Sequence, residues 1–329
     1  MVTIRMVAEQ CGLSIAAVSR ALNNRPGISR ERAEMVRRVA REMGYQPNEA
    51  ARLLKTNRSK NIGILYYNLF THEFFSEVLE SIQQEAAEHG YEITFLQNNA
   101  GMTYYEHAMR RQCAGVLLVQ IPYDKSSMQS IFDSGMPLVS IEYEQPGCTV
   151  IRNDNVQAME VLVRHAHSLG HERIAFIHGE LSTVTSQRLA GFHRGCRECG
   201  ISVPPEFVVA RHFRQVQPAA DAVKQLLTLP HPPTCVIFPD DICALGGMQA
   251  IERSGLHVPQ DVSVMGFGGI SVVQLMNTPL TTYHQNPREM GRLAVQEIIS
   301  AIEDPKCYVP HTAIVDGMLM DGDTVSALK

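Results

Sequence analysis

Residues Thr3–Asn23 read TIRMVAEQCGLSIAAVSRALN. Val7, Ala8, Cys11, Leu13, Val18 and Ala21 are apolar or small at spacings that let two short crossing helices share one small core. Ala8 falls where the helices approach. Gly12 falls at the turn, where a left-handed backbone costs least. Ser14 carries the side chain of an N-cap for the second helix. That leaves Ser14, Ile15, Ala16, Ser19 and Arg20 on the outer face and tip of the second helix. A helix-turn-helix of this kind can lay its second helix in the DNA major groove. Taken alone, the stretch also fits a helical hairpin of an enzyme.

The residues that follow weigh between the two. Asn24-Arg25-Pro26-Gly27 is a turn by composition. Ser29 is placed to cap a third helix, with Ala33, Val36, Val39, Ala40 and Met43 as its apolar stripe and Gly44 at its end. Arg30, Arg32, Arg37, Arg38 and Arg41 occupy its polar side, where phosphates could be met. Residues 1–60 hold 12 Lys and Arg against 5 Asp and Glu, whereas the remainder holds 17 against 29, for a net charge of -5. A basic head on an acidic body implies a polyanionic partner at one end only.

Asn48 can cap a short helix running to about Lys55, and Thr56–Lys60 is a polar, basic linker. The pattern TI-x-x-VA-x-x-x-G-x-S-x-x-x-VSRALN, followed by G-Y-x-PN-x-x-AR-x-L, resembles the DNA-binding head and hinge of the lactose/galactose repressor family. The similarity continues to about residue 285. The resemblance implies that Ile15, Ala16 and Arg20 read bases, with Arg20 suited to bidentate contact with guanine. It implies that Leu54 wedges into the minor groove from a hinge helix formed on DNA, with Lys55 beside it. Thr3, Ser14, Ser19, Asn23 and Asn48 complete the expected DNA-contacting set. The expected domains are a helix-turn-helix head (1–46), a hinge helix and linker (47–60) and a core (61–329).

Within that core the period changes. Strands are expected at Ile62–Tyr66, Tyr91–Leu96, Gly115–Val119 and Pro137–Ile141, separated by helices at Phe74–His89, Tyr105–Gln112 and about Ser126–Ser134. A second series follows, with strands at Arg173–Ile177, Phe207–Ala210, Thr234–Phe238, Val262–Phe267, Thr281–Tyr283 and Thr312–Val315. Its helices are expected at Val156–Leu169, Thr185–Cys199, Pro218–Leu227, Ile242–Ser254 and Pro287–Ile302. Apolar strands alternating with amphipathic helices indicate buried, doubly wound parallel sheets. Two such lobes in series suggest a periplasmic-binding-protein-like clamp with a ligand between them. Lobe one is expected over about 61–152 plus 286–312, and lobe two over about 154–284 plus 315–329.

Ligands of open α/β sheets sit beyond the C-terminal strand ends. By the family resemblance, Phe74, Glu142, Arg188, Phe213 and Asp240 match effector-contacting positions. Arg188 would anchor a polar or anionic group, and Phe74 and Phe213 would stack on a flat or ring-shaped body. One departure stands out. The family usually places an acidic residue straight after Gly-Phe or Gly-Tyr in the last strand, whereas here Gly266-Phe267 is followed by Gly268 and Gly269. Asp241 could serve only to cap the helix at Ile242.

The resemblance therefore implies a homodimeric, sequence-specific transcription regulator, a repressor, acting on a pseudo-palindromic DNA operator under a sugar-like or nucleoside-like effector. The alternatives are a family member controlled by a partner protein with a vestigial cleft, for which Gly268-Gly269 is the argument, and a solute-binding protein. An enzyme is not expected, because no phosphate loop or paired-carboxylate motif is present. No cofactor and no metal are expected. His193-x-x-Cys196-x-x-Cys199 has part of a metal-site spacing but no second cysteine pair, and it reads as small residues facing a helix core. The eight cysteines form no framework, which fits a reducing compartment. No apolar run approaches the ~20 residues of a membrane span. The N-terminus has no apolar signal-peptide core, so a cytoplasmic location is expected. The chain has no closing heptad tail, and a dimer is expected rather than a tetramer.

Overall fold

In a computed structural model, residues 2–22, 26–45, 59–66, 73–97, 101–121 and 125–328 are described. The chain divides into two compact units, residues 1–59 and residues 60–329.

The first unit contains α1 (Ile4–Cys11), α2 (Ile15–Leu22) and α3 (Arg30–Glu42). Val7, Ala8, Val18, Ala21, Ala33, Val36 and Ala40 form its buried core. Thr3 caps α1, and Gly12 ends it in the left-handed conformation (φ 60°), donating its N–H back to the last turn. Ser29 caps α3 through the Arg32 N–H. The three helices expected over residues 3–44 are present, with Ala8 buried among them, and the hinge helix expected after Asn48 lies outside the described residues.

The second unit holds two six-stranded sheets. The first has the order β11-β5-β4-β3-β1-β2, built from β1 (Asn61–Tyr66), β2 (Glu92–Leu96), β3 (Gly115–Gln120), β4 (Leu138–Ile141), β5 (Thr149–Asn153) and β11 (Thr312–Val315), all parallel. The second has the order β12-β10-β9-β8-β6-β7, from β6 (Ile174–His178), β7 (Val208–Ala210), β8 (Cys235–Ile237), β9 (Ser263–Gly268), β10 (Thr281–His284) and β12 (Met318–Met320). Here β12 runs antiparallel to β10 and the other pairs are parallel. The two sheets share one winding, in which the first strand is flanked by the second and the third, so each has a switch point beside its first strand.

The helices of this unit are α4 (Glu73–Glu88), α5 (Tyr104–Arg110), α6 (Gln129–Phe132), α7 (Asn155–Ser168), α8 (Thr183–Glu198), α9 (Val216–Leu227), α10 (Asp241–Arg253) and α11 (Pro287–Glu303). Close approaches are bought with glycine. A Cβ on Gly191 of α8 would overlap the Val156 carbonyl of α7, and one on Gly246 of α10 would lie 2.7 Å from the Val216 carbonyl of α9. Phe176 and Phe192 fill the gap between β6 and α8, with ring centroids 5.4 Å apart. Each such fully buried ring contributes roughly 1.5–3 kcal/mol.

Beyond shifts of a residue or two at element ends, the structure differs from the sequence reading as follows. Strands β5 and β12 were not expected. The segment read as a helix over Ser126–Ser134 is a 3-10 turn (Lys125–Met128) running into the single-turn α6. Phe207 ends a 3-10 turn, and β7 begins one residue later. Along α8, His193 is exposed while Cys196 is buried against Phe192, so those side chains diverge as the core reading requires for Cys196.

The chain crosses between the sheets three times, at β5 to α7, β10 to α11 and β11 to β12. Asn153 ties the three crossings together. Its amide nitrogen donates to the Gln285 carbonyl (3.0 Å) and the Val315 carbonyl (2.8 Å), and its oxygen accepts from Gln285 Nε2 (3.0 Å).

Candidate functional site

On the first unit, α2 presents Ser14, Ile15, Ala16 and Arg20 as exposed residues, with Ser19 half-buried. Ile15 is an aliphatic side chain 44% exposed at a helix tip, outside the buried cluster of the head. Ser14 Oγ accepts the Ala17 N–H at 3.2 Å, so its oxygen holds the helix start. Thr3, also exposed, accepts the Met6 N–H at 3.4 Å. Arg20 lies along the turn after α2: a Cβ on Gly27 (φ +101°) would stand 3.4 Å from its Nη1. Asn23, Asn48, Leu54 and Lys55, with the hinge segment as far as Arg58, lie outside the described residues.

On the second unit, a cavity of about 470 Å³ opens between the two sheets at their C-terminal strand ends. Phe74 and Glu142 reach it from the first sheet, and Arg188, Phe213 and Asp240 from the second. All five sequence-derived candidates thus line one space. Phe74 is buried and packs edge-on against Phe75, with centroids 5.1 Å apart, so it also belongs to the core of its lobe. Phe213 lies against Gly179, where any Cβ would strike its ring.

Arg188 is the buried cation of the site. Nε donates to Asn155 Oδ1 (2.8 Å) and Nη1 to the Pro239 carbonyl (2.9 Å). Its guanidinium carbon stands 3.5 Å from the Phe267 ring centroid. Burial draws its pKa down to about 10, against the opposing pull of the Glu142, Asp240 and Asp241 carboxylates. Glu142 sits in the left-handed region (φ 59°), a conformation that costs a residue with a Cβ of order 1 kcal/mol. Burial raises its pKa, while the Asn153 N–H (3.0 Å), the Arg188 charge and Asn155 Nδ2 (3.2 Å) act the other way.

The tandem aspartates divide their tasks. Asp240, not Asp241, caps α10: its Oδ1 accepts the Cys243 N–H (2.8 Å) and its Oδ2 the Arg214 N–H (2.7 Å). Burial still leaves its pKa raised. Asp241 points the other way, accepting from Thr282 Oγ1 (2.5 Å) and the Ile270 N–H (2.8 Å). Burial pushes it up to about 6. A Cβ on Gly268 would stand 3.2 Å from Asp241 Oδ2, and one on Gly269 (φ +72°) 2.6 Å from His284 Cα. The expected cap role for Asp241 is therefore replaced. It brings a carboxylate beside the position where the family's usual acid is missing. Residues 240 and 241 could not both cap one helix start, which was the signal for this second task.

Gln285 also lines the cavity, and the sequence alone did not mark it. Glu73, at the start of α4, and Arg214 (φ 60°), beside Phe213, meet across the two lobes, with Nη1 2.5 Å from Glu73 Oε2. Among the described residues, no group of three or more His, Cys, Asp or Glu is placed to hold a metal ion. No helix among them is long and apolar enough to cross a membrane.

Residues 3–48 match the family model "Bacterial regulatory proteins, lacI family", and residues 163–325 match the periplasmic binding protein-like domain. The HTH-type transcriptional repressor CytR of Escherichia coli (strain K12) is 32% identical, over 92% of this chain and 90% of that protein. The repressor PurR of Pasteurella multocida (strain Pm70) is 27% identical, over 92% of this chain and 93% of its own. A lac repressor dimer, solved bound to operator and the anti-inducer ONPF, superposes with a TM-score of 0.80 at 25% identity, covering 99% of each chain.

Proposed function

The chain belongs to the lacI family of bacterial regulatory proteins, and on that premise we propose how its two units divide the work of a DNA-binding repressor. Two copies set α2 into successive major-groove half-sites of a pseudo-palindromic operator. Arg20 reads a guanine, and Ile15 and Ala16 offer apolar contacts such as a thymine methyl accepts. Thr3, Ser14 and Ser19 fix the helix against the backbone. Asn23, Asn48, Leu54 and Lys55 are assigned to DNA on the family pattern.

The core, residues 61–329, binds a small effector between its lobes through Phe74, Glu142, Arg188, Phe213 and Asp240. The single observation that carries this reading is that these five residues, from segments up to 166 residues apart, line one cavity of about 470 Å³. Its chemistry supports an uncharged sugar-like or nucleoside-like ligand. Phe74 and Phe213 offer ring faces, and carboxylates and Gln285 offer hydrogen bonds. Glu142, Glu180, Asp240 and Asp241 outnumber Arg188 and Arg214 along the wall, so a phosphorylated ligand would meet net repulsion. A vestigial cleft would have no use for a buried arginine set among carboxylates, which is costly to maintain.

Selection of bound duplexes from a random library, repeated with adenosine, cytidine, ribose, cellobiose and their available phosphate esters, tests both halves. The expected result is a palindromic consensus whose affinity shifts with an uncharged compound. Absence of any preferred duplex overturns the first half. A response confined to phosphate esters overturns the second.

A further inference from the structure

We propose that Glu73 and Arg214 form a latch that holds the two lobes closed over the cavity and retards the escape of its occupant. The second clause rests on the reading of that cavity as an effector site. The ion pair joins the first residue of α4, in one lobe, to the loop between β7 and α9, in the other. Each arm adjoins an aromatic wall of the cavity, because Glu73 precedes Phe74 and Arg214 follows Phe213. A ligand held between those rings brings the charges together, and the paired charges hold the rings on the ligand.

The arm on the second lobe is held in place. Asp240 accepts the Arg214 N–H at 2.7 Å and Glu180 accepts the Phe213 N–H at 3.0 Å. Arg214 takes a left-handed backbone (φ 60°), and its side chain reaches Glu73 of the other lobe. The Asn153–Gln285 bonds lie at the crossings themselves, about which the lobes would turn. Glu73 and Arg214 instead lie on segments that part when the lobes open. Their side chains are 46% and 24% exposed, so the pair is partly desolvated yet within reach of salt.

The test uses the full-length protein. Hydrogen exchange is followed in peptides covering 73–80 and 208–216, without ligand, for Glu73→Gln, Arg214→Gln, their double variant and Arg214→Lys. Each Gln variant should exchange about two- to fivefold faster in both peptides, as loss of a partly exposed pair implies. The double variant should be no faster than either single one, and Arg214→Lys should restore most of the protection. High salt should mimic Glu73→Gln in the parent and change that variant little. For any of adenosine, cytidine, ribose or cellobiose that raises the parent's melting temperature, dissociation should quicken by a similar factor in the Gln variants. Unchanged exchange, additive effects of the two substitutions, or an equal salt response in parent and variant overturns the latch. If the exchange results hold but none of the four compounds binds, the latch stands and the effector reading fails.

Discussion

Replacing Arg188 by Met keeps the length of the side chain and removes its charge, which isolates what the guanidinium does. Arg188 is 5% exposed. It donates to Asn155 Oδ1 and the Pro239 carbonyl, lies 3.5 Å from the Phe267 ring centroid, and stands among the Glu142, Asp240 and Asp241 carboxylates. The substitution leaves two buried acceptors without their donor and removes one compensating charge from the carboxylates, of which Asp240 still faces Arg214. Relief of the buried cation's own desolvation offsets part of this. Breaking one side of a buried ionic cluster costs about 3–5 kcal/mol, and that is the expected loss. The loss should depend on pH. Asp241 already titrates near about 6, and without Arg188 its pKa and that of Glu142 rise further. Protonation then removes the uncompensated charge, so the penalty is largest above that pH and shrinks below it. The chain contains no Trp, so urea unfolding is best followed by far-ultraviolet circular dichroism, comparing midpoints at equal slope at pH 5 and pH 8. A loss under about 1 kcal/mol at pH 8 would show that the cluster does not depend on this cation. An equal loss at both pH values would refute the electrostatic account.

Three further outcomes are expected. Asp241 has a folded pKa raised from 3.8 to about 6, so its stabilising contribution is complete below 3.8 and is lost as pH rises to about 6; Asp241→Asn should abolish a fall of about 3 kcal/mol across that window, measured by unfolding at several pH values. Gly191→Ala should cost about 1–3 kcal/mol, read as a lowered melting temperature, because its Cβ meets the Val156 backbone and not a movable side chain. Arg20→Ala should weaken operator binding by about 1–3 kcal/mol and relax preference at one base pair per half-site, and an unchanged specificity profile in a binding-site selection would assign the arginine to the phosphates instead.

The parts of the molecule most legible in the sequence are those governed by period and by local chemistry. The head announces itself through a small residue at Ala8, Gly12 at the turn and serines at the caps, and in the structure Ala8 is buried, Gly12 is left-handed and Ser14 and Ser29 accept helix-start N–H groups. The long helices of the core follow their apolar stripes to within a residue or two. The two strands outside the sequence reading differ in kind: β5 is mixed in polarity, and β12 is apolar but only three residues long. β5 carries Arg152 and Asn153, because it ends in the hinge, and β12 spans only three residues, with Met318 exposed. The cavity wall was legible only where strand ends carry distinctive side chains. Gln285 and the second task of Asp241 depend on neighbours from distant segments, such as Asn153, Thr282 and Ile270, and no local spacing encodes those meetings.

The placement of polar contacts within the core bears on how a small molecule could control DNA binding. Asn153 is fully buried and joins all three crossings by neutral hydrogen bonds, which salt and pH leave largely untouched. Such a pin permits rotation of the lobes about the crossings but opposes their sliding apart. Glu142 adds to it, since the residue belongs to the first lobe yet its carboxylate accepts from Asn153 at the hinge and Asn155 at the start of α7. The same side chain lines the cavity. On the proposed reading of the cavity, a ligand that engages Glu142 would compete with, or complete, hydrogen bonds at the crossings between the lobes, and its affinity would then differ between lobe arrangements. Differential affinity is the condition for control, because a ligand that binds both arrangements equally shifts neither. Glu142→Gln keeps the shape but leaves one acceptor where there were two: its oxygen can take the Asn153 N–H, and its amide nitrogen then faces the Asn155 Nδ2 donor. It should weaken the coupling between ligand and operator binding more than it weakens ligand binding itself, measured as the ratio of operator affinities with and without ligand. Equal weakening of both would place Glu142 in the binding surface alone and leave the hinge to Asn153.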